Sequence, residues 1–250
     1  MFMLNILILT GNEVHHNFLC NSLILNCTDH EFTILKTSSD KTNFEFFYSK
    51  IKDVDQQSRD KVVEFIFDRN RTLCLKEPYD MLKAPKKQEI FNNSHELHLY
   101  LEKLLTKRSY DLVLTYSCPI MKNKEILRME AFNLHFGLSR YYRGGRCNLT
   151  ALAHKEFDKV GVTCHELNAE VDEGKVLFEF GGIPKEAFNS IDTINYFLLK
   201  KSVGKIINLL NKGKFETYSI PKGKLILNKS FDASMLIKAQ ENIKAFKGLL

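Results

Sequence analysis

Apolar residues recur along this chain in two patterns. Short uninterrupted apolar runs, such as residues 4–10 and 110–115, are typical of parallel strands that are covered on both faces. Other segments, such as residues 94–105, carry an apolar residue at every third or fourth position, which is typical of a helix with one buried face. Because the two patterns alternate, we predict an α/β fold with an open, mostly parallel sheet, right-handed crossovers and helices on both faces.

The two patterns also give bounds for the elements before residue 186. Six segments are predicted as strands: residues 4–10, 31–36, 110–115, 131–134, 160–167 and 175–180. Five segments are predicted as helices: residues 13–25, 42–69, 94–105 with Ser94 as N-cap, 122–129 and 147–155. Residues 70–92 contain Pro78 and Pro85 and show no period, so no element is predicted there.

The pattern changes after residue 185, and we divide the chain at that point. Residues 1–185 are expected to form one α/β domain, and residues 186–250 a small C-terminal appendage. In the appendage, helices at 191–210 and 232–246 flank two short strands at 215–220 and 224–227. Pro-Lys-Gly lies between these strands and is typical of a turn, so the strands are predicted to pair as a hairpin.

Composition and charge narrow the class of protein. The chain has 250 residues, of which 44% are hydrophobic and 26% charged, and this excludes a disordered, collagen-like or coiled-coil protein. The net charge of +6 suits an anionic ligand such as a phosphate, a nucleotide or RNA. It is too small to require nucleic acid, and the positive residues are scattered along the chain.

The cysteines and the apolar runs indicate the compartment. The six cysteines form no Cys-x-x-Cys pair and have no zinc-site spacing, so we expect free thiols in a reducing cytosol. The first apolar run lacks a basic leader, and no run reaches the roughly 18 apolar residues of a membrane span. We therefore expect a cytoplasmic protein with no membrane partner.

Two segments carry candidate chemistry. Asn133 and His135 lie two residues apart in a predicted strand, so their side chains share one face at the strand end where α/β sheets bind ligands. A carboxamide and an imidazole together can polarise a carbonyl group and move a proton. Asp172 follows in a polar loop after the strand that ends near Leu167, where an acid could orient the imidazole.

This ordered set resembles a known family. Asn133-x-His135, followed 37 residues later by Asp172 in a Val-Asp-x-Gly loop, is similar to the folate-dependent formyltransferases. That superfamily includes glycinamide ribonucleotide formyltransferase, methionyl-tRNA formyltransferase and the sugar N-formyltransferases. The strand and loop at 111–121, the loop at 138–144 and the turn at 10–12 also resemble theirs. The resemblance covers about residues 108–180, with weaker support from the N-terminal turn.

The resemblance implies a Rossmann-like fold and a reaction that moves a formyl group from 10-formyltetrahydrofolate to a primary amine. Asn133 would donate a hydrogen bond to the formyl oxygen as it becomes an oxyanion. His135 would stabilise the same charge and move the amine proton, and Asp172 would orient His135 and position a water. The reaction needs no metal, because the donor amide is already activated.

The resemblance also implies binding residues. Eight would contact the folate co-substrate: Tyr116, Cys118, Pro119, Ile120, Met121, Asn168, Glu170 and Val171. Seven would contact the acceptor: Gly11, Asn12, Tyr141, Tyr142, Arg143, Gly144 and Asn148. For Gly11 and Asn12 the alternative is a plain strand-to-helix turn with Asn12 as the cap. For Tyr141 and Tyr142 the alternative is packing.

Several differences from the usual family pattern bear on which acceptor the protein binds. Phe136 stands where Pro or Gly is usual, Leu138-Ser139-Arg140 replaces Leu-Leu-Pro, and Glu173 replaces Thr or Gly. The stretch 141–145 resembles the sugar N-formyltransferases of bacterial surface-glycan pathways, including lipopolysaccharide. Two tyrosines can stack on a sugar or a base, and Arg143 can bind a phosphate with two hydrogen bonds.

We therefore favour a nucleotide-linked amino sugar as the acceptor. One alternative is another amine, namely glycinamide ribonucleotide or methionyl-tRNA, although residues 186–250 are short for a tRNA-binding domain. A second alternative is a folate- or nucleotide-binding relative without catalysis. The apolar C-terminal elements and the family resemblance predict a homodimer, with no nucleic acid partner.

Overall fold

A seven-stranded sheet organises the molecule. The computed structural model describes residues 3–38, 55–68, 70–118, 121, 123–226 and 233–248. The strands of these residues are β1 Asn5–Gly11, β2 Glu31–Thr37, β3 Glu89–Phe91, β4 Leu112–Tyr116, β5 Ala131–His135, β6 Tyr142–Gly144, β7 Val162–Glu166, β8 Val176–Phe180 and β9 Lys224–Ile226. The large sheet has the order β3-β2-β1-β4-β5-β7-β8, and β6 pairs with β9 in a second, two-stranded sheet.

The direction of the strands changes twice across the large sheet. The five strands from β3 to β5 are parallel, whereas β7 runs antiparallel to β5 and β8 runs antiparallel to β7. The predicted α/β class with a mostly parallel sheet is therefore confirmed.

Helices cover both faces of the sheet. They are α1 Val14–Asn26, α2 Gln56–Asp68, α3 Arg71–Lys76, α4 Tyr79–Leu82, α5 Ser94–Leu105, α6 Cys147–Ala153, α7 Ile191–Lys212 and α8 Ala233–Gly248. Along β1, Ile6 and Ile8 join one apolar core with α1 and α7, whereas Leu7 and Leu9 join a second core with α5. Alternate residues of a strand point to opposite faces, so one apolar strand supplies both cores.

The ends of the elements differ from the sequence prediction in a few places. The N-cap of α5 is Asn93 and not Ser94, because the Asn93 side chain accepts a hydrogen bond from the Glu96 amide at 2.9 Å. The N-cap of α1 is Glu13 and not Asn12. Of the predicted helix 42–69, residues 42–54 and 69 lie outside the described residues. The helix predicted at 122–129 is reduced to a single 3-10 turn, Ile126–Arg128.

The C-terminal hairpin prediction is wrong. Tyr218 pairs instead with Val176 of β8, through two backbone hydrogen bonds of 2.7 and 2.9 Å. Residues 224–226 form β9 and pair in parallel with β6. Gly223 lies so close to the chain at Ser139 that an added Cβ would be 2.4 Å from the carbonyl carbon of Tyr141. The glycine is therefore needed for close approach to another loop, and not for a hairpin turn.

The C-terminal elements share the main core. Ile194 and Leu198 of α7 and Leu236 of α8 are fully buried in the same apolar cluster as Ile6 of β1. The domain boundary at residue 185 stays a prediction. All six cysteines are free thiols, as predicted. Across the described residues, no helix is long and apolar enough to cross a membrane.

Candidate active site

The carboxyl ends of β4 and β5 hold the predicted polar pair. In the parallel register of these strands, Thr115 lies beside Asn133, and its hydroxyl donates a 2.8 Å hydrogen bond to Asn133 Oδ1. This bond fixes the amide so that Nδ2 is left as the donor. His135 follows at the end of β5, buried with 7% of its surface exposed.

Asp172 joins the pair from the loop between β7 and β8. Its Oδ2 lies 3.3 Å from His135 Nδ1 and accepts a 2.7 Å hydrogen bond from the backbone amide of Gly144. Its Oδ1 accepts a 3.2 Å hydrogen bond from Asn133 Nδ2. The structure thus brings together the three residues that the sequence singled out. Their catalytic roles stay a prediction at this point.

His165 is a fourth member of the cluster that the sequence analysis missed. It lies directly opposite Asn133 in the antiparallel register of β5 and β7. Its Nε2 is 3.1 Å from Asp172 Oδ1, and its Nδ1 is 2.9 Å from the Glu166 carbonyl oxygen. Its Nε2 also lies 3.4 Å from Asn133 Nδ2. His165 therefore positions Asp172 from the side away from His135.

The environment sets the charges of this cluster. Burial alone would raise the pKa of Asp172. The hydrogen bond from His165, the charges of both histidines and the Gly144 amide outweigh burial and lower that pKa to about 2. Burial lowers the pKa of His135, while the Asp172 carboxylate opposes the shift. The cluster therefore pairs an ionised carboxylate with an imidazole that is neutral at pH 7.

The cluster opens into a cavity of about 670 Å³, which is in the range of small-molecule sites. Asn133, His135, His165 and Asp172 line it. Within the described residues, His135 Nε2 is buried and has no hydrogen-bond partner. With Nδ1 beside the carboxylate, this nitrogen is the atom of His135 that remains available for a ligand.

Most of the predicted folate residues line the same cavity. They are Tyr116, Cys118, Met121, Asn168, Glu170 and Val171. Pro119 and Ile120 lie outside the described residues. Burial raises the pKa of the Cys118 thiol to about 12, so it is a neutral part of the wall.

Known proteins share this architecture. A scan of family models and a search of curated proteins find no match to the sequence. Among solved structures, a sugar N-formyltransferase from a Shewanella species matches with a TM-score of 0.58 and 16% identity, over 94% of this chain and 87% of that one. An N-formyltransferase from Helicobacter canadensis, solved with folinic acid and dTDP-3-aminofucose, matches with a TM-score of 0.55 and 14% identity, over 93% and 79%.

A methionyl-tRNA formyltransferase from Clostridium thermocellum matches with a TM-score of 0.52 and 12% identity, over 94% of this chain and 81% of that one. The chain has the formyltransferase fold. At these identities the likeness establishes the fold alone.

The Arg143 side chain makes its hydrogen bonds to other residues of the same chain. Its Nε donates to the Gly223 carbonyl at 2.9 Å, and its Nη1 donates to the Val171 carbonyl at 3.1 Å and to the Glu173 carboxylate. Glu173 also pairs with Lys222. These contacts join β6, the loop that carries Asp172 and the segment before β9. The predicted phosphate contact of Arg143 stays a prediction, and the geometry gives the side chain a positioning role.

The remaining predicted acceptor residues divide into two groups. Gly144 and Asn148 line the cavity of this formyltransferase fold, whereas Gly11, Asn12, Tyr141 and Tyr142 do not. The Asn148 amide is engaged at both ends by the backbone of Gly161, with two 2.9 Å hydrogen bonds, which argues for a structural role.

The residues away from the cavity are held by local contacts. The Tyr142 hydroxyl donates to Glu156, and an added Cβ on Gly11 would be 2.5 Å from the His16 ring. Within the described ranges, no group of three or more acidic, cysteine or histidine side chains is placed to hold a metal. A metal-free reaction stays a prediction.

Proposed function

We propose that this chain transfers a formyl group from 10-formyltetrahydrofolate to the primary amine of a nucleotide-linked amino sugar. The observation that carries the proposal is the constellation of Asn133, His135 and Asp172 at the edge of a ligand-sized cavity in the formyltransferase fold. Each of the three has the partner that its proposed role requires.

Asn133 would stabilise the oxyanion. Its Oδ1 accepts from Thr115, so Nδ2 is the group that faces a substrate oxygen. Nδ2 lies 3.2 Å from Asp172 Oδ1 and 3.4 Å from His165 Nε2, and in the proposed role it would donate to the developing charge. A donor of this kind is typically worth about 3–4 kcal/mol of barrier.

His135 would move the proton. Because Nδ1 lies against the Asp172 carboxylate, the neutral ring carries its hydrogen there and keeps a lone pair on Nε2, which has no partner among the described residues. That lone pair can take the proton that the attacking amine releases. The carboxylate then stabilises the imidazolium, as in other acid-oriented histidines.

The cavity also fits the folate co-substrate. Tyr116, Cys118 and Met121 lie at or after the end of β4, and Asn168, Glu170 and Val171 lie in the loop that carries Asp172. All six line the cavity. They would hold 10-formyltetrahydrofolate, which supplies the formyl group as an activated amide.

The acceptor class rests on the comparisons. The Helicobacter canadensis enzyme was solved with dTDP-3-aminofucose, and that structure matches most of this chain. The net charge of +6 suits an anionic sugar nucleotide. The proposal further includes that the product is used to synthesise a bacterial surface glycan. It also includes that the protein is a cytoplasmic homodimer. The alternatives are a methionyl-tRNA or ribonucleotide acceptor, and a binding protein without turnover.

A coupled assay tests the proposal. The chain is incubated with 10-formyltetrahydrofolate and a panel of nucleotide-linked amino sugars, and the release of tetrahydrofolate is followed. We expect turnover on at least one sugar, its loss in His135→Asn, and its retention in His154→Asn, an exposed histidine outside the cavity.

The other outcomes identify the alternatives. Turnover on tRNA with a strong salt dependence would replace the sugar by a nucleic acid acceptor. Folate binding without turnover on any amine would favour the non-catalytic relative. No folate binding would contradict the proposal as a whole.

A further inference from the structure

The cavity has a second polar wall, made of residues that do not belong to the catalytic cluster. It is formed by the start of α3 and the first turns of α7, and its lining residues are Asn70, Leu73, Asp192, Asn195 and Leu199. We call these five residues the α3–α7 wall. The function proposed above assigns none of them a role.

Helix geometry places the α7 part of this wall on one face. Asp192, Asn195 and Leu199 follow each other at spacings of three and four residues, which align side chains along one side of a helix. Asp192 Oδ2 accepts a 2.7 Å hydrogen bond from the Thr72 amide and a second from the Thr72 hydroxyl. These bonds fix α3 against α7 and leave Asp192 Oδ1 without a partner among the described residues.

The two carboxamides of the wall are not used by the fold. Asn70 and Asn195 are half-buried, and their side chains make no hydrogen bond to any described residue. The buried Asn148, in contrast, is satisfied by Gly161. Asn70 and Asn195 line the cavity with amide groups that the fold does not use, so these groups are open to a ligand there.

The backbone at Asn70 supports the same conclusion. Among the described residues, five non-glycine residues have a positive φ, and four of them line this cavity: Asn70, Ser117, Arg146 and Asp172. Backbone in this region is enriched at functional sites. The wall and the catalytic cluster are thus marked by the same feature.

The chemistry of the wall selects the class of ligand. Each carboxamide offers both donors and an acceptor, and Asp192 Oδ1 offers an acceptor with a negative charge. Hydroxyl groups match this set because each can donate and accept. A phosphate or a folate glutamate tail can only accept and would be repelled by Asp192. Among the described lining residues, Arg146 is the only lysine or arginine, and it belongs to the start of α6 and not to α3 or α7.

We infer that the α3–α7 wall binds the hydroxyl groups of the sugar ring of the acceptor and so selects the sugar. The inference rests on the proposed function, because it takes an amino sugar to be the acceptor. The apolar Leu73 and Leu199 would lie against the carbon face of the ring, as apolar side chains do in sites with a few polar contacts.

The test separates the sugar from the rest of its nucleotide. Binding of dTDP-3-aminofucose and of dTDP is measured by calorimetry for the wild type, Asn195→Ala, Asn70→Gly, in which glycine tolerates the positive φ, and the control Asn208→Ala, an exposed residue on the same helix. Removing the amide should weaken binding of the sugar nucleotide about tenfold in each wall variant and change binding of dTDP less than twofold. Asn208→Ala should match the wild type, and all variants should keep the wild-type thermal unfolding.

Kinetics distinguish the possible failures. An equal loss of dTDP and sugar nucleotide binding would place the nucleotide on the wall and overturn the inference, as would a rise in the KM for 10-formyltetrahydrofolate alone. Formyl transfer with a sugar KM that does not depend on Asn195 would overturn the wall and keep the proposed function. Sugar binding that depends on Asn195 without any formyl transfer would keep the wall and overturn the proposed function. A wild type that binds neither probe would overturn the inference.

Discussion

The two sides of the cavity are built in different ways. On the catalytic side, Asp172 is held by His135, His165, Asn133 and the Gly144 amide, so its position is fixed before any ligand binds. On the α3–α7 wall, Asn70 and Asn195 have no partner among the described residues. Preorganised charge lowers a barrier because nothing has to reorient during the reaction. Hydrogen-bonding groups without an intramolecular partner, in contrast, make the affinity depend on the donors and acceptors that the ligand supplies.

The largest effect should come from breaking the preorganised side with Asp172→Asn. The amide keeps the size of the side chain but removes the charge that holds His135 and His165. Loss of the orienting acid in comparable triads lowers kcat by several orders of magnitude, and we expect at least 10³-fold here, about 4 kcal/mol. Steady-state kinetics at saturating folate and acceptor measure it.

Asp158→Asn is the matched control for this change, since Asp158 is exposed and does not line the cavity. It should retain wild-type kcat. A loss of less than tenfold in Asp172→Asn would show that the carboxylate does not act on the reaction through His135.

Substitutions of two asparagines allow the two sides of the cavity to be compared through the free energy of unfolding. Asn148→Ala leaves the buried amide and carbonyl of Gly161 without their partners and should lower the free energy of unfolding by about 2–4 kcal/mol. Asn195→Ala removes no intramolecular hydrogen bond and should change it by less than about 0.5 kcal/mol. Urea unfolding of both variants and of the wild type measures these changes in the free energy of unfolding. Equal losses would mean that the Asn195 amide supports the fold after all.

Arg143→Gln tests whether this residue positions the catalytic loop. The guanidinium joins the Val171 carbonyl, Glu173 and the Gly223 carbonyl. Without it, the Asp172 loop should shift, and kcat should fall about 30-fold, or about 2 kcal/mol, with little change in either KM.

The sequence prediction for Arg143 gives the opposite pattern. If Arg143 binds the phosphates of the acceptor, the KM for the acceptor should rise while kcat is retained. Arg128→Gln, at an exposed arginine, controls for the loss of one positive charge.

The catalytic cluster shows what a sequence can predict. Asn133 and His135 were predicted together because residues two apart in a strand share a face, and the strand was recognisable from its apolar residues. His165 was missed because its place opposite Asn133 depends on the antiparallel register of β5 and β7. Register between distant strands leaves no local signal.

The α3–α7 wall and β9 show where prediction stops. Helix α3 has six residues and α4 has four, which is too short for an amphipathic period, so residues 70–92 could not be interpreted. The turn sequence before β9 predicted a hairpin from local composition, whereas a long-range approach to the loop at 139–141 decides the pairing. The pairing of β9 therefore depends on a contact between distant segments, and no local pattern predicts it.

The smallest predicted effect is a shift in the titration of His135. Burial lowers its pKa below the ordinary 6.5, and Asp172 partly opposes this. Since the neutral ring is the proposed base, kcat/KM should lose tenfold per unit of pH below that midpoint and none from His135 above it. Asp172, with a pKa of about 2, is ionised throughout this range and cannot cause this loss of kcat/KM at low pH.

NMR of labelled histidine, assigned by the signal missing in His135→Asn, should give a midpoint below 6.5. Asp172→Asn removes the charge that raises the pKa and should move the midpoint lower still. A midpoint above 6.5, or one that Asp172→Asn leaves in place, would break the proposed pairing of carboxylate and base.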